Sequence, residues 1–281
     1  MKIGGHVSIA GGIEKAPERA HAIGANMAQI FVSAPQGWRT FEFSDEQVAA
    51  FRDNAKTFGI DPIFVHALYL VNLATDDPAL AQRSVTALTH ALDQSARLGC
   101  AAVVFHTGSR KERKVADAID HVVERITAIL KQSDPRSVLA IENSAGEADG
   151  RKMGSTFEEL GEIIQRVNSP RLKVCLDLQH AFAAGNDVRT PEGISGMLAT
   201  FDAAVGLDRL IALHANDSKT ELASHVDRHE NIGKGNIGSD GFRNLLHNDH
   251  LRKLPWILEV PGDEATGPDV ANVKRLQKLA E

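Results

Sequence analysis

The sequence predicts an α/β protein built as a single (β/α)8 barrel (TIM barrel), and two observations support this prediction. Eight short apolar runs alternate with eight amphipathic stretches across the 281 residues, without a linker or a shift in composition. Six of the runs end on a residue type that binds metal, and those residues converge only if parallel strands close into a ring. An open doubly wound sheet is the alternative, but it would spread the strand ends along a crevice.

Each predicted strand precedes a predicted helix. In chain order the pairs are 2–8 with 14–23, 27–33 with 44–58, 61–66 with 78–98, 101–106 with 114–132, 138–142 with 156–167, 172–177 with 191–205, 209–214 with 239–253, and 256–260 with 268–280. Residues 44–47 and 155–158 have the form of capping boxes at helix starts. Gly24, Gly59 and Gly99 fall where left-handed helix C-caps are expected. We therefore predict one domain over residues 1–281, with its site at the C-terminal face of the strands.

The composition indicates a globular protein and argues against a membrane-spanning one. With 43% hydrophobic and 24% charged residues the chain is globular, and no apolar stretch approaches the length of a membrane span. The first residues lack a signal-peptide layout, so we expect a cytoplasmic protein with no membrane partner. The two cysteines, Cys100 and Cys175, lie at or within predicted strands and are expected to be buried, which leaves only nitrogen and oxygen ligands for a metal. The net charge of −6 argues weakly against nucleic-acid binding, but three divalent ions would offset it.

Nine candidate metal ligands fall at or just beyond the predicted strand ends. They are His66, His106, Glu142, Asp177, His180, His214, Asp227, His229 and Glu259. Asp177 and His180 flank a predicted strand-to-loop turn, and Asp227 and His229 are spaced so that both point the same way in extended chain. Four carboxylates packed together would repel one another unless cations held them. Nine such donors suit two or three zinc or manganese ions, and clustered ions of this kind indicate phosphate-ester hydrolysis.

The sequence says less about the roles of the remaining histidines and of the loops on the same face. His6 is expected either to support the metal ligands or to pack in the core. Glycine-rich loops at 107–113, 143–155, 181–190 and 230–238 would contact a substrate or be ordinary solvated loops. Six histidines are expected on the solvated surface: His21, His90, His121, His247 and His250 in predicted helices, and His225 in a loop.

Eight motifs in order carry a resemblance to a known family. They are GGHVS at 4–8, HALYLVNL at 66–73, FHTGS at 105–109, ENSAG at 142–146, CLDLQHAFAAG at 175–185, HANDSK at 214–219, DRHENIGKGNIG at 227–238 and LEVPG at 258–262. Together they resemble the endonuclease IV (type 2 apurinic/apyrimidinic endonuclease) family over essentially the whole chain. The resemblance implies a DNA-repair enzyme with a trinuclear zinc site. Such an enzyme hydrolyses the phosphodiester 5′ to an abasic site and leaves a 3′-hydroxyl and a 5′-deoxyribose phosphate.

The resemblance also assigns ligands to three zinc ions. The sets are His66, His106 and Glu142; Glu142 as a bridge with Asp177, His214 and Glu259; and His180, Asp227 and His229. Glu142 and Glu259 would act in catalysis through metal coordination, and manganese is a possible substitute for zinc. The implied partner is double-stranded DNA containing abasic sites, bound by a monomer without a nucleotide cofactor.

Five positions are implied to contact DNA. Tyr69 and Leu70 match the family's inserted wedge, and Trp38 and Arg39 lie on a second DNA-contacting loop. Gln36 is a departure, since the family commonly has arginine at this position. Because glutamine cannot supply the positive charge, we expect weaker DNA binding or an altered lesion preference.

Two other functions compete with this interpretation. A metal-dependent sugar isomerase or epimerase of the xylose-isomerase-like barrel type would use Glu142, Asp177, His214 and Glu259. The third ligand set argues against it, because such an enzyme does not need it. A non-catalytic lesion-binding protein is suggested only by Gln36.

Overall fold

A closed ring of eight parallel strands forms the centre of the computed structural model, which describes residues 1–146 and 150–281. The strands are β1 (Lys2–His6), β2 (Met27–Phe31), β3 (Ile63–His66), β4 (Val103–Phe105), β5 (Leu139–Glu142), β6 (Leu172–Asp177), β7 (Leu210–His214), β8 (Asp217–Ser218), β9 (His229–Glu230) and β10 (Pro255–Leu258). The ring runs β1 to β7 in order and then β10, which pairs back onto β1. Strands β8 and β9 form a separate antiparallel hairpin above the ring. The predicted TIM barrel is confirmed, and the open sheet is wrong.

Helices connect the strands, most of them on the outside of the barrel, whereas the sixth helix is fully buried. They are α1 (Ala16–Ala22), α2 (Asp45–Phe58), α3 (Pro78–Leu98), α4 (Val115–Gln132), α5 (Phe157–Val167), α6 (Leu178–Ala183), α7 (Pro191–Ala204), α8 (Gly238–His247) and α9 (Val270–Leu279). None of the described helices is both long and apolar enough to cross a bilayer.

Local helix signals in the sequence are mostly confirmed. Ser44 and Gln47 form the predicted capping box, with both reciprocal hydrogen bonds present. The second box is wrong, because Thr156 and not Ser155 caps α5, accepting from the Glu159 N–H. The glycines expected as C-caps adopt left-handed conformations, with φ of 78°, 66° and 75° for Gly24, Gly59 and Gly99.

Two further sequence-based expectations are corrected. Helix α6 begins immediately after β6, so Asp177 and His180 flank a strand-to-helix junction and not a strand-to-loop turn. The Asp177 carboxylate caps α6 by accepting from the His180 N–H at 2.7 Å. The single helix predicted at 239–253 is α8 followed by a separate 3-10 turn at Leu251–Lys253. In the predicted loop 143–155, residues 147–149 lie outside the described residues.

The barrel interior explains why the candidate ligands converge. Side chains alternate between the two faces of a strand, so residues two apart point the same way. In the lower part of the barrel the inward side chains are apolar and fully buried, with Phe64, Val104, Ala140, Cys175, Ala212 and Ile257 among them. Two residues further along each strand stand His66, His106, Glu142, Asp177, His214 and Glu259. The ligand layer is therefore the next interior layer above an apolar plug.

The histidines outside the candidate metal centre differ in their exposure to solvent. His21, His225 and His247 are exposed as expected. His90 and His121 are not simple surface residues, because each is partly buried and bonds a backbone carbonyl at 3.1 Å. Among the described residues both cysteines are free thiols; Cys175 is buried as expected, whereas Cys100 is only partly buried.

Candidate metal centre

Glu142 is the central residue of the strand-end layer. Its Oε2 lies 3.2 Å from His66 Nε2 and 3.3 Å from His106 Nε2. Its Oε1 lies 2.9 Å from His214 Nδ1 and 3.4 Å from His180 Nδ1. The two carboxylate oxygens thus face different imidazoles, which is the arrangement that a carboxylate bridging two metal ions requires.

A second group of donors surrounds His214. Its Nδ1 is 3.2 Å from Glu259 Oε2 and 3.8 Å from Asp177 Oδ2. One donor atom from each of Glu142, Asp177, His214 and Glu259 lies within 4.8 Å of all the others. This spacing is compatible with four ligands around a single ion.

A third group lies towards the hairpin. Donor atoms of Asp177, His180 and His229 lie within 4.8 Å of one another. Asp227 approaches the same two imidazoles, with Oδ2 at 3.3 Å from His180 Nε2 and Oδ1 at 3.4 Å from His229 Nε2. The resemblance assigned Asp227 to this group and Asp177 to the second, whereas the structure brings both carboxylates to it.

Charges within the cluster are strongly coupled. Burial opposes ionisation of Glu142, but the imidazoles of His106, His214 and His180 hold its pKa well below its usual range. The pKa of His214 is raised well above that of free histidine despite its burial, because Cys175 and the carboxylates of Glu142 and Glu259 lie around it. Protonated histidines can therefore offset the carboxylates without a metal. Carboxylate repulsion alone therefore does not require a metal at this site, and the hydrogen bonds of the imidazoles point to metal more directly.

Those hydrogen bonds prepare the imidazoles for metal ions. Nδ1 of His66, His180 and His229 faces a backbone carbonyl, at 2.7, 2.9 and 3.3 Å respectively. A proton on Nδ1 leaves the Nε2 lone pair pointing into the cluster. Nε2 of His180 and His229 is buried and makes no hydrogen bond within residues 1–146 and 150–281. Buried imidazole nitrogens without hydrogen bonds beside carboxylates fit divalent metal ions.

Gln29 is a functional residue that the sequence analysis missed. It lies inside β2, completely buried, and its Oε1 accepts from His214 Nε2 at 3.0 Å. Its amide nitrogen donates to Glu259 Oε1 at 2.6 Å and lies 3.2 Å from His6 Nδ1. Gln29 therefore orients a histidine and a carboxylate of the second group, and His6 is part of the same supporting layer. An amide in the middle of an apolar strand, two residues beyond the inward Met27, was the available signal.

Asn143 and Asn216 support Asp177 in the same way. The Asp177 N–H donates to Asn143 Oδ1 at 2.6 Å, and the Asn143 amide donates back to the Asp177 carbonyl at 3.0 Å. The Asn216 amide donates to Asp177 Oδ2 at 2.6 Å, while its Oδ1 accepts from the Glu259 N–H at 2.8 Å. Asn143 therefore fixes the backbone of Asp177, while Asn216 holds the Asp177 carboxylate and the backbone of Glu259 from outside the cluster.

Asp217 anchors the loop that follows the hairpin. Its buried carboxylate accepts from the backbone N–H groups of Gly233, Gly235, Ile237 and Gly238 at 2.9 to 3.3 Å. Gly235 is required by this close approach, because a Cβ there would lie 2.4 Å from the Ser218 carbonyl oxygen. The segment around His229 is thereby held against the barrel.

Two of the positions expected to contact DNA, Tyr69 and Leu70, line the cavities of the strand-end face. Tyr69 and Leu70 are 54% and 39% exposed, which is unusual for large apolar side chains in this chain. The Tyr69 ring lies edge-on to Phe31, and its backbone N–H donates to the Pro35 carbonyl at 2.9 Å, which joins the two rim loops.

The second rim loop contains the other three positions. Gln36 and Arg39 are exposed. Trp38 is partly buried, packs against the core and lies 5.6 Å from the Arg83 guanidinium carbon. Of the three, Trp38 is placed more to support the loop than to reach a ligand.

Cavities occur on both sides of Tyr69. One of about 530 Å³ is lined by His6, Phe31 and Glu259, and another of about 350 Å³ by His106, Lys152 and Asp227. A larger cavity of about 630 Å³ lies at the opposite end of the barrel beside Lys2, and none of the nine candidate ligands lines it. The openings that matter for chemistry are the two at the strand-end face.

Comparison with known proteins first defines the class. Residues 17–280 match the family model of the xylose isomerase-like TIM barrel. Solved structures with this fold include a D-tagatose 3-epimerase-like protein, with a TM-score of 0.71 and 19% identity over 99% of this chain and 95% of that one. At that identity the likeness shows the fold alone.

More similar relatives define the family. The chain is 39% identical to the probable endonuclease 4 of Halothermothrix orenii over 99% of this chain and all of that protein. It is 40% identical to that of Methanosphaerula palustris, covering 100% of this chain and 98% of the relative. The crystal structure of endonuclease IV from Thermus thermophilus superposes with a TM-score of 0.87 at 37% identity, over 99% of this chain and 98% of that one. The chain belongs to the endonuclease IV family.

Proposed function

We propose that this chain is an apurinic/apyrimidinic endonuclease. It hydrolyses the phosphodiester 5′ to an abasic site in duplex DNA, leaving a 3′-hydroxyl and a 5′-deoxyribose phosphate, and residues 1–281 act as one domain. The observation that carries the proposal is the set of three overlapping donor groups that share Glu142 and Asp177 beside the exposed Tyr69 and Leu70. Membership of the endonuclease IV family supports it.

Three zinc ions are the proposed cofactors, with manganese as a possible substitute. The donors would be divided as the family resemblance assigns them, with Glu142 shared between two ions. Imidazole nitrogens and carboxylate oxygens without thiolates suit both metals. When bound, such ions supply Lewis-acid charge that polarises phosphoryl oxygens and stabilises a leaving oxygen.

The protein's own groups would do the positioning. Glu142 and Glu259 take their catalytic roles by holding metal, and Gln29 fixes the orientation of Glu259 by donating to its Oε1. Tyr69 is exposed as a whole, but partial desolvation near the cluster and the carboxylates Glu259 and Glu142 raise the pKa of its hydroxyl, so the hydroxyl stays protonated. A neutral aromatic ring is suited to fill the space vacated by a nucleotide that has left the base stack.

Cleavage of a duplex carrying one tetrahydrofuran abasic analogue tests the proposal. This analogue cannot undergo β-elimination, so a 3′-hydroxyl product establishes hydrolysis on the 5′ side. The same duplex without the lesion is the control and is expected to stay intact. If zinc-loaded protein leaves the abasic duplex uncut, the endonuclease proposal fails.

A sugar epimerase is the second candidate, because one donor from each of Glu142, Asp177, His214 and Glu259 suffices for a single-ion site. The third donor group at His180 and His229 has no role in that chemistry. Incubation of the metal-loaded protein with ketohexoses distinguishes the two, since we expect no epimer to form. The cytoplasmic location and the monomeric state expected from the sequence stay predictions, and gel filtration tests the second.

A further inference from the structure

We propose that Lys152 binds a backbone phosphate of the DNA strand that enters the metal centre. This inference rests on the proposed function and adds a substrate-contacting residue to it. Lys152 lines the 350 Å³ cavity together with His106 and Asp227, two candidate metal ligands. Tyr69 and Leu70 line the same cavity. If the bases of a bound DNA strand face Tyr69 and Leu70, the phosphates of that strand would face the Lys152 ammonium group.

The Lys152 ammonium group lies close to the candidate metal ligands without a direct hydrogen bond to them. Its Nζ lies 3.9 Å from Asp227 Oδ2, the one carboxylate oxygen within 4 Å of it among the described residues. This distance is beyond that of a direct hydrogen bond, so the three N–H donors are available to a further acceptor. When Asp227 holds a metal ion, its charge is offset by the ion. Lys152 then faces the cavity without a counter-charge, and a phosphate oxygen is the group that would supply one.

The backbone of Lys152 is held firmly. Lys152 pairs with Ser109 in an antiparallel bridge between two loops of the strand-end face. On either side, the Met153 N–H donates to the Gly108 carbonyl and the Arg110 N–H donates to the Arg151 carbonyl, both at 2.9 Å. The side chain is only 24% exposed. The cation is therefore positioned before DNA arrives, which lowers the entropic cost of the contact.

Other cations on this face are less suited to the role. The Arg110 guanidinium donates to the Gly150 carbonyl at 2.9 Å. Lys234 is paired with Asp263 at 2.8 Å, and Arg228 donates to the Asp227 carbonyl at 2.7 Å. Each of these side chains already makes a direct hydrogen bond, whereas the nearest carboxylate oxygen to Lys152 Nζ among the described residues is 3.9 Å away.

Salt dependence of DNA binding is the first test. The ligand is the nicked duplex that results from cleavage at the tetrahydrofuran site, and the protein is zinc-loaded. Lys152→Gln is expected to bind about tenfold more weakly. Its slope of log K against log [salt] should be smaller by about 0.9, the value for one lost phosphate contact. Lys152→Arg should keep the slope, and Lys131→Gln on the exposed surface of α4 is the control with the same change of charge.

Replacing single phosphates by uncharged methylphosphonates identifies the phosphate that Lys152 contacts. A methylphosphonate is placed at one position at a time near the nick, and one position is expected to weaken the wild type but not Lys152→Gln. An unchanged salt slope, or equal sensitivity of both proteins at every position, overturns the proposal. Loss of zinc from Lys152→Gln at an unchanged slope also overturns it, because the lysine would then act only on Asp227.

The wild-type arm separates this inference from the proposed function. A wild type that binds and cuts abasic DNA, with Lys152→Gln indistinguishable from it, refutes the Lys152 contact alone. A wild type that binds DNA with the expected Lys152 dependence but does not cut refutes the endonuclease activity alone. A wild type that binds no DNA refutes both.

Discussion

Two parts of the candidate metal centre are held in different ways. The barrel donors, which are His66, Glu142, Asp177 and His214, end barrel strands and are at most 2% exposed. The hairpin donors, Asp227 and His229, lie on the β8–β9 hairpin and have side chains that are 40% and 19% exposed. The barrel donors are placed by strands that pair with a neighbouring strand on each side. The hairpin donors depend on a few contacts, chiefly the anchoring of the following loop by Asp217.

Because the two groups of donors are held differently, substitutions in one should leave the metal bound by the other in place. Loss of a barrel donor affects several neighbours at once, because Glu142 alone faces four imidazoles. Loss of a hairpin donor should affect one ion and leave the barrel intact.

The largest effect is expected for Glu142→Gln. Removing the charge of the shared carboxylate weakens two metal groups together, and Lewis-acid stabilisation by metal is worth several kcal/mol. We expect kcat/KM on the abasic duplex to fall by about 10³-fold or more. Metal content measured on the same sample should drop by more than one ion per chain. Glu264→Gln in the exposed loop after β10 is the matched control, and full activity of Glu142→Gln would contradict the shared role.

A smaller and more selective loss is expected for His229→Asn. The side chain belongs to the third donor group alone, so metal content should fall by about one ion per chain. Activity should fall by about 10²-fold, and the thermal unfolding temperature of the metal-free protein should barely change. The measurements are elemental analysis, cleavage kinetics and calorimetry. If all metal is lost, the two halves are not separable in the way proposed.

Asp217→Asn tests the anchor of the hairpin. The amide would present N–H groups to backbone donors that now have a carboxylate acceptor, and lost hydrogen bonds to a charged group cost about 2–3 kcal/mol. We expect the free energy of unfolding in urea to fall by about that amount. The metal of the third group should be lost at lower chelator concentration than the rest. Asp240→Asn, at the exposed start of α8, is the control and should cost less than about 1 kcal/mol.

The barrel donors could be predicted from the sequence, whereas the structure of the hairpin could not. The barrel and its strand-end donors follow from apolar runs that end on His, Glu or Asp, because alternation along a strand fixes which way each residue points. Helix α6 was missed because Asp177 both ends a strand and caps a helix. Gln29 was missed because an amide within an apolar run reveals its role only through partners on β7 and beyond β10.

The β8–β9 hairpin could not be predicted from local sequence patterns. Its shape depends on bonds between residues distant in the chain, such as Asp217 with the Gly238 N–H. No local periodicity encodes such bonds. The spacing of Asp227 and His229 predicted two side chains on one side, but only the family resemblance assigned them to a third ion.

The smallest effect is expected at the rim, for Gln36→Arg. Gln36 is exposed, on the loop that is joined to Tyr69 through the Pro35 carbonyl. A guanidinium there adds a positive charge beside the wedge without touching the metal donors. We expect about three- to fivefold tighter binding of the nicked abasic duplex and a salt slope larger by up to about 0.9, with kcat unchanged. Gln132→Arg at the end of α4 is the charge-matched control, and a Gln36→Arg variant that binds no better than this control would show that the departure from the family's arginine does not limit DNA binding.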